Sequence, residues 1–391
     1  MKELIMHELD KWKEQLWEIS DYLYHHPELG DQEYLAVEKL TTILKENEFS
    51  VEVGIVGRPT AFRAIYESPI PGPSVAYLCE YDALPKIGHG CGHNLIGTMS
   101  LGAGLALKGV IDQIGGRIVV LGTPAEETNG AKVDMAKQGI FDDIDVAMIL
   151  HPSGESYESG VSLAIDAIQF DFRGKTSHAA SSPHKGINAL DAVIQTFNGI
   201  NALRQHVTSD VRIHGIIKEG GVAANIIPDR AIAQFYVRAR ERENLTEVVE
   251  KVKNIAQGAA LMTGATLAIS NYEISYDNMI TNQALSATFV NNLNQVGVSD
   301  VHPARSSYGS IDMGNVSQVV PAIHPYIGLD SPSLVGHTKE MADLTITETG
   351  HKKLIQGAAA LALTGYDVIT DKTLLEAIKQ EFENRMKSRE S

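Results

Sequence analysis

Histidine, cysteine and paired carboxylates gather at three places in this 391-residue chain. The segment EYDALPKIGHGCGHN carries His89, Cys91 and His93 among glycines that permit close backbone approach. GTPAEETNG carries the adjacent acids Glu126 and Glu127, and His151 stands directly before Pro152. Cysteine, histidine and carboxylate together are the donor set expected for zinc or a similar first-row ion. Acids side by side repel unless a cation compensates. Such a pair also has a chemical use: one acid binds the metal, and the other serves as general base for the attacking water. Hydrolysis of an amide or ester follows. The set needs a further histidine, which His337 in SPSLVGHTKE supplies; His324 in AIHPYIGL competes for that place and is otherwise assigned to the substrate.

The same residues admit two other readings. Cys91 could be a nucleophile with His93 as base and Glu126 as orienter, but residues at i and i+2 rarely present good Cys–His geometry. The protein could also bind metal as a non-catalytic subunit or scaffold. Glu126, intact beside the ligands, argues against that. A dinucleotide oxidoreductase is disfavoured because no GxGxxG follows the first strands.

Each group follows a short apolar run, at Val75–Cys79, Ile118–Leu121 and Val146–Leu150. Sites in open α/β sheets form at such carboxyl ends. Two helices are expected in the first fifty residues, then Ala61–Tyr66 as a strand, and helices over Leu95–Leu107 and Ala131–Lys137. This alternation predicts an α/β domain with a largely parallel sheet and helices on both faces. From SLAIDAIQFDF to Thr266–Tyr272 the order becomes β-α-β-β-α-β, with strands at Arg212–Lys218 and Ile226–Arg240 and a helix bearing Leu245, Val248 and Val252. That is the ferredoxin-like unit. The expected organisation is residues 1–162 and 276–391 as the two parts of one catalytic α/β domain, interrupted by an α+β lid or dimerisation domain at 163–275. The second part should hold a helix at Asn282–Leu293, a strand at Val319–Ile327, a long helix from Thr347 and a solvated terminal helix over Leu374–Met386.

With 33 basic against 49 acidic residues the net charge is −16, which disfavours nucleic acid or an anionic membrane as partner. A 43% hydrophobic content supplies ample core. No signal peptide and no apolar run of membrane-spanning length stand out, and the two cysteines, Cys79 and Cys91, make no disulfide framework. A cytoplasmic protein is the expectation.

In order, HHPELGDQE, DALP–x3–HGCGHN, PAEE, GKTSHAA, ANIIPD and GHTKE resemble the di-metal aminoacylase and carboxypeptidase family of metallopeptidases. They are most similar to its amidohydrolase branch of hippurate, indole-acetyl-amino-acid and aminobenzoyl-glutamate hydrolases; DMGNVS followed by VVPAIHPY resembles the aminobenzoyl-glutamate hydrolase and dipeptidase subgroup. The resemblance implies two divalent ions, Zn²⁺ first and Mn²⁺ or Co²⁺ as alternatives. Cys91 would bridge them, with His93 and Glu127 on one side and His151 and His337 completing the set. It makes Glu126 the general base and Asp82 the residue that orients the ligands. His178 would stabilise the oxyanion, often across a homodimer, while Asn225 and Arg238 would hold the carbonyl or carboxylate of an acyl amino acid or small peptide.

Two positions depart from the family pattern. Asn94 replaces the usual aspartate, keeping an N-cap role while losing a negative charge, and TNGA replaces the glycine-rich run after the paired acids. HHPELGDQE carries no role that its residues reveal; His25 and His26 are read as structural.

Overall fold

Amphipathic spacing opens the chain as two helices, α1 (Lys2–His25) and α2 (Tyr34–Glu46), which bury Leu9, Leu16 and Ile19 and then Leu40, Ile43 and Leu44. The computed structural model describes residues 1–305 and 309–390. After α2 come β1 (Ser50–Val53), β2 (Phe62–Glu67), β3 (Ser74–Cys79), α3 (His93–Ile114), β4 (Arg117–Gly122), α4 (Ala131–Lys137), β5 (Val146–Met148), β6 (His151–Ser153) and β7 (Ser156–Tyr157). A second run holds β8 (Ala164–Arg173), α5 (Ala189–Leu203), β9 (Arg212–Glu219), β10 (Arg230–Ala239), α6 (Arg242–Thr263) and β11 (Thr266–Asn271). The chain closes with α7 (Gln283–Gln295), β12 (Val301–His302), α8 (Met313–Ser317), β13 (Ala322–Ile323), β14 (Tyr326–Gly328), α9 (Lys339–Leu344), α10 (Glu348–Thr370) and α11 (Lys372–Glu390).

Two units result. The second comprises Ser162–Asn278 and a short segment ending at Ile311; the first holds the rest. The first unit is built on a six-stranded sheet of order β1-β2-β4-β3-β5-β13. Its β4-β3-β5-β13 portion is parallel, and the β1-β2-β4 edge is antiparallel. Helix α3 packs against α1, α10 and strands β3 and β4. By length and composition α3 could cross a membrane, a property that its interspersed glycines and polar residues hide from a reading of contiguous apolar runs. Eighty-nine per cent of its apolar window is buried in the fold, which marks a core helix instead.

The run Val319–Ile327, expected as one strand, is divided. β13 pairs with β5, whereas β14 pairs with β6 in a second sheet of order β12-β7-β14-β6. The partner offset is the same on both sides of the break: Ile323 faces Met148, and Tyr326 faces His151. His151 N donates to Pro325 O at 3.1 Å across the gap. The two strands therefore bend together, and Pro152 and Pro325, which offer no N–H, stand at the bend.

In the second unit the sheet order is β11-β8-β10-β9, antiparallel throughout, as a β-α-β-β-α-β chain requires. Phe235, Val237 and Ala239 point into a core shared with Phe170, Phe172, Val248 and Val252. The strand expected from Ile226 begins only at Arg230, because Pro228 interrupts the ladder. Helix α11 also differs from expectation. Ile378 is fully buried, and the Glu381 carboxylate accepts from Gln283 N at 2.6 Å and Ala284 N at 3.0 Å, capping α7. The terminal helix is thus docked along one stripe.

Candidate metal centre

Three segments at the carboxyl ends of β3, β4 and β5 carry the candidate residues, and the first two turn at positive φ beside them. Gly92 turns the chain at φ +76°; a Cβ there would lie 2.5 Å from Pro152 Cγ. The turn sets Cys91 beside the start of α3, whose first residue is His93. Gly92 occupies the N-cap, so Asn94 is not the cap. Its amide instead donates to Ser20 Oγ at 3.1 Å and Thr345 Oγ1 at 2.9 Å, tying α1 and the C-terminal segment to α3. Ala125 adopts φ +62° just before the paired acids.

HHPELGDQE supports that turn. Ala125 N donates to Glu33 Oε1 at 2.9 Å, and Thr60 Oγ1 donates to Glu33 Oε2 at 2.8 Å. A Cβ on Gly30 would meet Thr128 Oγ1 at 2.6 Å and Ala125 Cα at 2.9 Å. Glu28 Oε2 accepts from Ala36 N at 3.0 Å, near the start of α2. The motif is thus a buttress behind Glu126, a role that its residue types alone did not disclose.

The donor atoms of Cys91, His93 and Glu127 all lie within 4.8 Å of one another. His93 Nδ1 sits 2.9 Å from Asp82 O and 3.0 Å from Asp82 Oδ1, which fixes Nδ1 as a donor. Asp82 Oδ2 also accepts from Glu127 N at 3.0 Å, so one carboxylate orients both neighbours. His337 Nε2 lies 3.6 Å from Glu127 Oε1, on a residue held at φ +62° by a 2.9 Å bond from its N–H to Gly90 O. The His151 ring centroid is 6.0 Å from that of His93 and 5.6 Å from that of His324. Loss of solvent and the neighbouring His324 and His93 push His151 down to about 3, leaving the neutral imidazole that metals bind.

Charge is badly balanced here. Glu80, Asp82, Glu126, Glu127 and Asp312 outnumber the basic groups paired with them among the described residues, Lys132 and the His93 imidazole. Burial, reinforced by Glu80, Asp312 and Glu127, lifts Glu126 well above the ordinary carboxylate range. Burial opposes protonation of His93, yet Asp82, Glu80 and Glu127 together hold it well above the usual imidazole range. Glu80 Oε2, His93 Nε2 and Glu127 Oε1 are buried without a hydrogen-bond partner among the described residues. Carboxylate and imidazole lone pairs so arranged fit a divalent cation in donor type, spacing and charge. Burial and the Glu127 and Glu126 charges drive the Cys91 thiol up, the reverse of what a free nucleophile needs, whereas a coordinating thiol is deprotonated outright.

His178, Asn225 and Arg238 belong to the second unit. Ala180 N and Ser181 N each donate to His178 Nδ1 at 3.2 Å, so Nε2 carries the proton and is a hydrogen-bond donor. Ala179 N donates to Asn225 O at 3.0 Å, which makes His178 and Asn225 neighbours. Arg238 lies on β10, where Nη1 donates to Ser310 Oγ at 3.3 Å.

Glu80, Lys132 and Asp312 went unnoticed in the sequence. Glu80 opens EYDALP and Asp312 opens DMGNVS, both motifs being visible without a role for their first residue. Lys132 is buried with Ala131, Val133 and Met135 on a short helix that also carries Asp134 and Lys137, so its residue type alone did not mark it.

Residues 165–261 match the M20 family model described as a peptidase dimerisation domain. An Xaa-Arg dipeptidase of Mus musculus is 36% identical over 97% of this chain and 91% of its own length. A p-aminobenzoyl-glutamate hydrolase polypeptide of Escherichia coli is 27% identical over 93% and 91%. Among solved structures, an aminobenzoyl-glutamate utilization protein from Klebsiella pneumoniae superposes with a TM-score of 0.73 at 20% identity, covering 91% of this chain and 96% of that one. A Bacillus subtilis dinuclear metal binding peptidase from the M20 family gives 0.63 at 18%, covering 90% and 99%.

Proposed function

This chain belongs to the M20 family of peptidases, and from that premise we propose that it is a metal-dependent amidohydrolase cleaving N-acyl amino acids or small peptides. The convergence of Cys91, His93 and Glu127 donor atoms within 4.8 Å, beside a Glu126 outside that trio, carries the reading. Cys91, His93, Glu127, His151 and His337 would hold two ions, Zn²⁺ in the first place and Mn²⁺ or Co²⁺ otherwise. Bound ions would supply Lewis acidity toward the scissile carbonyl and acidify the attacking water.

The chain's own residues do the rest. Glu126 takes the proton of the attacking water on its carboxylate and returns it to the leaving amine; its raised affinity for a proton suits that shuttle. Asp82 keeps His93 in the tautomer whose Nε2 lone pair is available. We assign to His178 Nε2–H stabilisation of the oxyanion, and to Asn225, Arg238 and His324 the substrate's carbonyl and carboxylate. Homodimerisation through the second unit and a reducing, cytoplasmic setting for the free Cys91 belong to the same proposal.

Glu126→Gln should leave the metal content unchanged and lower kcat about 10²–10⁴-fold. The assay is a panel of N-acyl amino acids, aminobenzoyl-glutamate and Xaa-Arg dipeptides with added Zn²⁺, Mn²⁺ or Co²⁺. A variant that retains full turnover rejects the assigned base.

A further inference from the structure

Behind His93 lies a carboxylate outside the donor set just assigned. Glu80 is 1% exposed, and its Oε1 accepts from Lys132 Nζ at 2.7 Å. Lys132 is fully buried and also donates to Asp312 Oδ1 at 2.8 Å. With one oxygen clamped, Glu80 Oε2 is left 3.5 Å from His93 Nε2. Neither atom has a hydrogen-bond partner among the described residues.

A buried carboxylate oxygen and an imidazole nitrogen facing each other need something electropositive between them, a proton on Nε2 or an ion in its place. Asp82 already takes the proton on His93 Nδ1, so an ion that displaces a proton from Nε2 meets a lone pair aimed into that gap. Two donors about 2.1 Å from one ion at the tetrahedral angle stand about 3.4 Å apart. The observed 3.5 Å is that spacing. Lys132 offers one positive charge to two carboxylates, leaving a net negative charge on three side chains that are at most 2% exposed.

We infer that Glu80 Oε2 is a further ligand of the ion that His93 holds, with Lys132 as the positioning residue that clamps Oε1 and aims Oε2. The inference rests on the metal-dependent reading above and adds to it a ligand at β3's exit, the residue that opens the first of the three expected segments. Asp312 holds the far side of Lys132, so the DMGNVS motif would act on the site through this lysine.

The test strips the full-length protein with a chelator and titrates it with Co²⁺, following the visible absorption band of the bound ion and the stoichiometry by elemental analysis. Glu80→Gln should weaken one of the ions by about 100-fold or more and alter the band, at or beyond the upper end of the 10–100-fold typical when a partner outside the ligand set is lost. Glu80→Asp keeps the charge but shortens the reach, and should fall between wild type and Glu80→Gln. Should the glutamine variant not fold, the aspartate variant decides. Wild-type affinity and band in the variants overturn the inference, as does a lowered Tm with both unchanged, because that outcome makes Glu80 purely structural. A wild-type protein that takes up no Co²⁺ overturns the metal-dependent reading itself, before any variant is made.

Discussion

His93 and His337 approach the same carboxylate oxygen, Glu127 Oε1, at 4.0 and 3.6 Å, from opposite surroundings. The His93 side chain is 1% exposed and gripped by Asp82 through two oxygens. The His337 side chain is 62% exposed, on a loop tethered to Gly90 by a backbone bond. The buried wall is organised before any ion arrives. The exposed loop loses side-chain freedom when it binds, and that ordering costs free energy. The difference teaches that the two halves of the centre should fill in sequence, the His93 side first.

The largest expected effect breaks the buried half. His93→Ala should lower the affinity of the tightest-bound ion by more than about 100-fold, since it removes a ligand and strands Asp82 in the interior; competition with a chelating dye measures it. Loss confined to the weaker ion would reverse the proposed order.

A second experiment probes the support behind that wall. Burial lifts Glu33 to about 7, against an unfolded value near 4.5. The folded protein therefore keeps a proton that the unfolded chain has released, and the contribution of Glu33 to stability is fully present below pH 4.5 and is lost as pH rises toward 7. The decline attributable to Glu33 should be on the order of 3 kcal/mol. Glu33→Gln should flatten it in urea titrations at several pH values; an unchanged slope would remove Glu33 from the account.

The smallest effect belongs to the exposed half. His337→Ala should cost about tenfold in affinity for one ion only, measured by the same dye competition. Equal losses from His93→Ala and His337→Ala would erase the contrast.

Legibility in the sequence followed the same divide between local and distant relationships. Cys91, His93 and Glu127, whose donor atoms lie together, follow strands and have distinctive chemistry, so their grouping was readable from spacing. The general α/β and β-α-β-β-α-β pattern was equally readable from periodicity. Lys132 was not, because its partners Glu80 and Asp312 are 52 and 180 residues away, and a lysine on a short helix ordinarily reads as solvated. The docking of α11 was hidden because Ile378 is surrounded by charges in sequence. Asn94 was misplaced by two residues because a left-handed glycine can start a helix without a side-chain cap.

The shared bend at His151 and His324 has an evolutionary consequence. Two strands that change sheets with an unbroken partner offset are tolerant of altered side chains but intolerant of altered length. Side chains alternate along a strand, so deleting one residue between Val146 and His151, or between Ala322 and Tyr326, would turn the following histidine or tyrosine to the opposite face. Insertions and deletions of a single residue in relatives should therefore be absent from both stretches.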